Sequence, residues 1–199
     1  MTTKARVRQR RAASAKQQRT RTIGIAVIGV VIVGFIGWQF AQATRPAAPT
    51  VVLSDKVGAN LGEVAPDFSV PTLGGGEYTL AAFDGKPRVL FAMAYWCTTC
   101  LPEARALAQL ELDFGDRISI LALDVDPSST PTALAQFKAA VGDPDYVWAF
   151  DAGQQVTNLY QIAALDTTLI LDQNGHVVYR DAYPTNYTTL KTTIDGLLQ

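Results

Sequence analysis

The sequence predicts an α/β domain with a mixed central sheet and helices on both faces, preceded by one membrane-spanning helix. Three observations lead there. Apolar strands and helices alternate through the middle of the chain. A hairpin signal, "QNG" between two strand-like runs, closes the sheet near the C-terminus. An uncharged apolar run of 18 residues, Ile23 to Phe40, stands near the N-terminus.

The apolar run follows a basic head. Lys4, Arg6, Arg8, Arg10, Arg11, Lys16, Arg19 and Arg21 precede residue 22 with no acid among them. The other nine cations face all 18 acids, so the rest of the chain carries about −9. A nucleic-acid arm would fit the head alone, but not the run behind it. At ~1.5 Å per residue that run gives about 27 Å of helix, close to the ~30 Å hydrocarbon core. Trp38 stands near its far end, where an indole sits at the headgroup level. The positive-inside rule places residues 1–22 in the cytoplasm, residues 23–42 across the membrane as a signal anchor, and the remainder outside. The alternative is a cleaved signal peptide ending at "AQA", Ala41 to Ala43. Either route delivers the body to the extracytoplasmic side. The Arg10–Arg11 pair lacks the closely following apolar residues of a twin-arginine signal.

Residues 43–61 are rich in Ala, Pro and Gly without helical period and read as a linker. Residues 62–199 read as one folded domain. "DFSV" and "EYTL" are short extended stretches around the turn cluster "PTLGGG". Pro87 to Tyr95 is a continuous apolar strand of the kind buried on both faces. Pro102 to Phe114 carries Ala104, Leu107, Ala108 and Leu112 as a helical stripe. "RISILALDV" is a second buried strand. The next helix has Thr130 as N-cap and Pro131 at its first position. "DYVWAFD" is a strand, "GQQVTNLYQI" a short helix, "TTLILD" and "HVVYRD" the terminal hairpin, and "NYTTLKTTIDGLL" the last helix.

The chemistry centres on "YWCTTC". Cys97 and Cys100 are the chain's two cysteines. A structural zinc needs about four ligands. His176 is the single histidine, so one chain would need carboxylates to complete a shell. His176 itself reads as a solvent-facing turn residue. A purely stabilising disulfide gains little from so short a loop. The redox reading has a mechanism. A strand enters the motif and a helix leaves it, so Cys97 lies at a helix N-terminus that favours its thiolate. Cys100, one turn on, resolves a mixed disulfide and is expected to be the more buried.

"YWCTTC" behind a buried strand resembles the thioredoxin fold. More narrowly, the body resembles the membrane-anchored thiol-disulfide oxidoreductases of the TlpA and ResA type. "APDFSVPTLGGGEYTLAAFDGKPRVLFAMAYWC" is similar to that family's opening, Asp124 to Asp151 to its inserted helix and strand, and "TTLILDQNGHVVYR" to its terminal hairpin. The resemblance implies a thioredoxin-like fold and exchange through Cys97 and Cys100. Its clients would be disulfide-bonded proteins, apocytochrome c among them. Its electron donor would be a membrane protein of the CcdA or DsbD type. It names no cofactor beyond the Cys97–Cys100 disulfide and no metal. Trp96, Leu165, Asp166 and Thr167 match substrate-binding positions. Glu103 matches a family glutamate, either a proton shuttle to Cys100 or an acid complementing the helix dipole.

The sequence departs from the family at two places. Asp166 stands where the family carries a cis-proline, which offers backbone hydrogen bonds to the client and keeps metal from the thiolates. A trans bond is expected there. Asp166 either brings negative charge to Cys97, raising its pKa, or points to solvent. Arg105 stands where proline is frequent, and Pro102 is expected to weaken the helix nearer the sulfurs. Thr98–Thr99 selects neither an oxidant nor a reductant.

Two rival functions follow. One is a client- or metal-binding assembly factor with weakened turnover. Copper chaperones of this fold, however, carry wider cysteine spacing and a partnering histidine. The other is a peroxiredoxin-type peroxidase, which needs a threonine where Ala94 stands.

Overall fold

The computed structural model describes residues 51–80 and 85–199. The basic head, the expected membrane span at 23–42 and the first part of the expected linker lie outside the described residues. Among the described residues no helix is long and apolar enough to cross a membrane.

Strand β1 (Ser69–Pro71) pairs antiparallel with β2 (Glu77–Thr79) as a small hairpin. The main sheet comprises β3 (Arg88–Met93), β4 (Ser119–Asp124), β5 (Val147–Phe150), β6 (Thr167–Leu171) and β7 (Val177–Arg180), in the order β5-β4-β3-β6-β7. The pairs β3–β4 and β4–β5 are parallel, and β3–β6 and β6–β7 are antiparallel. Every residue of β3 is buried; the apolar run Val89–Met93 predicts this, and Arg88 at its head is buried with its guanidinium donating to Leu80 O at 2.9 Å. In the "QNG" turn, Asp172 Oδ1 accepts the backbone N–H groups of Asn174 and His176 at 2.9 Å each. His176 is packed there beside Asp172 rather than facing solvent, with its side chain 16% exposed.

Helix α1 spans Leu101–Phe114, α2 Pro131–Val141, α3 Gln155–Leu159 and α4 Tyr187–Leu197. Thr130 caps α2 by accepting from the Ala133 N–H, with Pro131 next, as the sequence predicts. The crossovers β3–α1–β4 and β4–α2–β5 step the same way along the sheet. Right-handed connections therefore put both helices on one face. There Leu107, Leu110, Leu134 and Phe137 pack with α4's Leu190 and Ile194 over Phe91, Ile120 and Ile170. The opposite face carries the short α3, the β1–β2 hairpin and residues 59–68. Phe68, Val156 and Tyr160 cover Leu90, Ala92 and Leu169. Helices do lie on both faces, but unequally.

Three details differ from the sequence reading. The compact unit begins at Val51, inside the stretch read as linker. Ser54 donates its N–H to Gly62 O at 2.8 Å and Gly58 to Val64 O at 2.9 Å. Gly62 sits at φ +84°, and a Cβ there would stand 2.1 Å from Val52 O, so this close approach requires glycine. Irregular pairing of this kind leaves no periodic signal. Pro102 falls within the first two residues of α1, where its missing N–H costs nothing. Leu112 is 78% exposed, and the buried stripe runs Ala104, Leu107, Leu110, Phe114. At ~100° per residue, Leu112 points about 140° away from Leu107.

Leu110→Ala should therefore cost about 2–5 kcal/mol, while Leu112→Ala stays within about 0.5 kcal/mol. Urea midpoints at constant m check this contrast. Equal midpoints for the two variants would contradict the packing.

Candidate functional site: the cysteine loop

Strand β3 ends at Met93, and the chain turns through Tyr95 and Trp96 into the cysteines. Asp124, at the end of β4, holds this turn. Its buried carboxylate accepts from Tyr95 N (3.3 Å), Ser129 Oγ (2.6 Å) and Asp126 N (3.1 Å). Burial raises its pKa against the pull of these bonds. Asp126 accepts from the indole N–H of Trp96 at 2.5 Å and so orients the half-exposed ring. The sequence reading missed both aspartates. The signal was there: two acids closing an otherwise apolar strand, in register with β3 (Met93 opposite Asp124).

Cys97 is the N-cap of a 3-10 turn, Thr98–Cys100, that runs directly into α1. Its sulfur is joined to that of Cys100 in a disulfide. Cys97 is 4% exposed and Cys100 fully buried, the expected order for attacking and resolving sulfurs. A cleft of about 230 Å³ opens beside them, lined by Trp96, Cys97, Leu101, Phe137 and Ala140 among others. A larger cleft of about 500 Å³, around Tyr146 and Trp148, contains none of the cysteine-loop residues.

Asp166 faces the disulfide and not solvent. It is 4% exposed, at φ +58°, a left-handed conformation that Asp adopts more readily than most residues. Among the described residues no peptide bond is cis. Asp166 Oδ2 accepts from Thr99 Oγ1 at 3.1 Å and lies 4.0 Å from Cys97 Sγ. A disulfide sulfur has no proton, so the latter is a contact and not a hydrogen bond. Oδ1 is buried without a hydrogen-bond partner. Burial raises the pKa of Asp166. The Thr99 hydroxyl opposes that shift, and the charge of Asp181 adds to it. Thr99, which looks neutral in sequence, is thus the link between the motif and Asp166. Of the neighbouring positions, Leu165 is partly buried against both apolar clusters. Thr167 is buried and donates its hydroxyl to Ala164 O at 2.7 Å.

Glu103 is a buried acid at the start of α1. It is 1% exposed in the first turn of α1. Its carboxyl accepts from Thr168 Oγ1 on β6 at 2.6 Å and from Thr185 N, ahead of α4, at 2.8 Å. Desolvation dominates and lifts its pKa to about 8. The two hydrogen bonds pull it down, and Asp181 and Asp166 push it further up. A carboxyl with that pKa, three residues after Cys100 in the chain, has the value that a proton carrier near neutrality needs.

The raised pKa also links stability to pH. Between the unfolded value of 4.5 and about 8, the folded chain holds the proton that the unfolded chain has lost. Glu103 therefore stabilises the fold fully at the acid end, and that contribution fades as pH rises through this window. The limiting slope is about 1.4 kcal/mol per pH unit. Glu103→Gln should flatten the fall of urea-derived stability between pH 5 and 8. An unchanged pH profile would contradict it.

A scan of known families matches the AhpC/TSA family over residues 61–180. The chain is 27% identical over 150 residues to the thioredoxin-like protein YneN of Bacillus subtilis (strain 168), covering 75% of this chain and 82% of that one. It is 26% identical over 162 residues to the thiol-disulfide oxidoreductase ResA of Bacillus thuringiensis (strain Al Hakam), covering 81% and 87%. A secreted Mycobacterium tuberculosis disulfide oxidoreductase homologous to E. coli DsbE superposes with a TM-score of 0.58. It is 20% identical and covers 65% of this chain and 96% of that one, a likeness of fold. With more than half of its length matched by the family model, the chain belongs to the AhpC/TSA family, as a thioredoxin-like member of the TlpA/ResA type.

Proposed function

We propose that this thiol-disulfide oxidoreductase works as an extracytoplasmic reductase, held at the membrane by residues 23–42 with its N-terminus in the cytoplasm. Its clients are disulfide-bonded proteins, apocytochrome c-like chains among them, and a membrane donor of the CcdA or DsbD type returns its electrons. The observation that carries the reductase direction is the Asp166 carboxylate, 4.0 Å from Cys97 Sγ.

The helix end favours the Cys97 thiolate, which stabilises the reduced pair and raises the potential. An ionised carboxylate at this distance opposes that effect. It holds Cys97 nearer an ordinary thiol and moves the couple towards the reducing end. In turnover the Cys97 thiolate attacks one client sulfur, and the other leaves as a thiolate. Cys100, its proton passed to Glu103 in the fraction of chains where that carboxyl is ionised, then attacks Cys97 Sγ. The second client sulfur leaves and takes up a proton. The client has gained two electrons and the domain ends as the disulfide. The cleft of Trp96, Leu101 and Phe137 receives the client's apolar side chains next to the reacting bond.

Two measurements test this reading. Insulin reduction should be lost in Cys97→Ser; activity in that variant equal to the native chain's would end the proposal. In a glutathione titration, Asp166→Asn should raise the Cys97–Cys100 potential. The rise should be about 30 mV for each unit by which the Cys97 pKa falls below the assay pH. An unchanged or lower potential would remove the argument for the reductase direction.

A further inference from the structure

Cys97 Sγ, Cys100 Sγ and a carboxylate oxygen of Asp166 all lie within 4.8 Å of one another, and all three residues are buried. The sequence offered two thiols and a distant histidine, short of a metal shell for want of a carboxylate. The fold supplies one from 66 residues further along the chain. A second observation points to a ligand. Asp166 Oδ1 is buried without a partner, while Thr99 holds Oδ2 and so fixes the orientation of the carboxylate. A buried anionic oxygen left unsatisfied is costly. Oδ2 of the same carboxylate lies 4.0 Å from Cys97 Sγ, so a cation bound by the adjacent sulfurs and this carboxylate would neutralise its buried charge.

We propose that the reduced domain is a zinc site, with Cys97 Sγ, Cys100 Sγ and Asp166 as three ligands and a fourth position open to water. The site is gated by the redox state of the pair. In the disulfide both sulfurs are spent on each other. A dithiol reductant converts the bond to two thiols and leaves as its own disulfide. Zinc then displaces the two thiol protons and binds as the dithiolate. Two thiolates and a carboxylate suit zinc, which takes sulfur and oxygen together. Copper(I) prefers soft sulfur and has little use for the carboxylate. Bound zinc withholds Cys97 from clients, and oxidation of the pair releases the ion.

The proposal rests on the exchange-competent pair only in needing it reduced. Insulin reduction in excess chelator reads the redox reaction alone and separates the two failures. The full-length chain, reduced and freed of reductant, is titrated with Zn²⁺ against a chromophoric chelator. One zinc per chain is expected for the reduced form and none for the oxidised form. Asp166→Asn and Asp166→Ala should each weaken zinc binding by about 10-fold or more while leaving Cu(I) affinity within about threefold. X-ray absorption of the native zinc complex should show two sulfur scatterers and at least one oxygen from protein, and does not depend on any variant folding. Zinc should also slow re-oxidation of the native pair by oxidised glutathione, and do so less in Asp166→Asn. No zinc uptake by the reduced chain, uptake unchanged in both Asp166 variants, or equal uptake by the oxidised chain would overturn the site.

Discussion

Strand β3 is paired on both edges, parallel to β4 and antiparallel to β6, and the cysteine loop depends on that. The parallel edge fixes Met93 opposite Asp124, which puts the Asp124 carboxylate under the Tyr95 N–H and clamps the strand's exit. The antiparallel edge fixes Ala92 opposite Thr167. Asp166, one residue before β6, therefore arrives against the sulfurs from the other side. A slip of one residue in either pairing would turn every side chain of that strand to the wrong face. The three groups that make the chemistry would then separate.

Around this junction the domain buries several acids. Glu103, Asp124 and Asp166 are each shielded, and each has its pKa raised chiefly by desolvation. They differ in what answers the burial. Asp124 accepts three hydrogen bonds, two from its own loop and one from Tyr95 N in the cysteine loop, and acts as a clamp between them. Glu103 accepts two, from β6 and from the segment before α4, and so joins three parts of the chain. Asp166 accepts only through Oδ2, and its Oδ1 has no partner. The group nearest the reacting sulfur is thus the least satisfied of the three. That is the expected place for function to be taken at the expense of stability.

Much of this was legible in the residues. The apolar run Val89–Met93 of β3, the Thr130–Pro131 start of α2 and the "QNG" hairpin each carry a local physical signature, and each stands where that signature puts it. The Cys-x-x-Cys motif at a strand-to-helix junction is equally local. What escaped detection is non-local or aperiodic. Leu112 looked buried because leucine at approximate helical spacing reads as core, yet its angle takes it to solvent. Residues 51–61 pair irregularly with their neighbours, which composition cannot distinguish from a linker. Glu103's partners, Thr168 and Thr185, lie 65 and 82 residues away. No window along the chain contains them together.

Asp166 marks the boundary between these two kinds of knowledge. Its identity, an acid where the family resemblance leads one to expect proline, was plain in the sequence. Its direction was not, because a loop residue before a strand can face either way. Facing inward, one carboxylate acts on the pair in both redox states. Beside the disulfide it lacks a partner for Oδ1. Beside the dithiolate it repels a second anion unless a cation lies between them. Reduction therefore sharpens the need for positive charge at this spot, which is why the proposed reducing potential and the proposed zinc site rest on the same side chain. They also compete. If both proposals hold, a chain tuned further towards reduction by this carboxylate becomes a better trap for the ion that would silence it, and reductase activity would then depend on free zinc being scarce where the chain works.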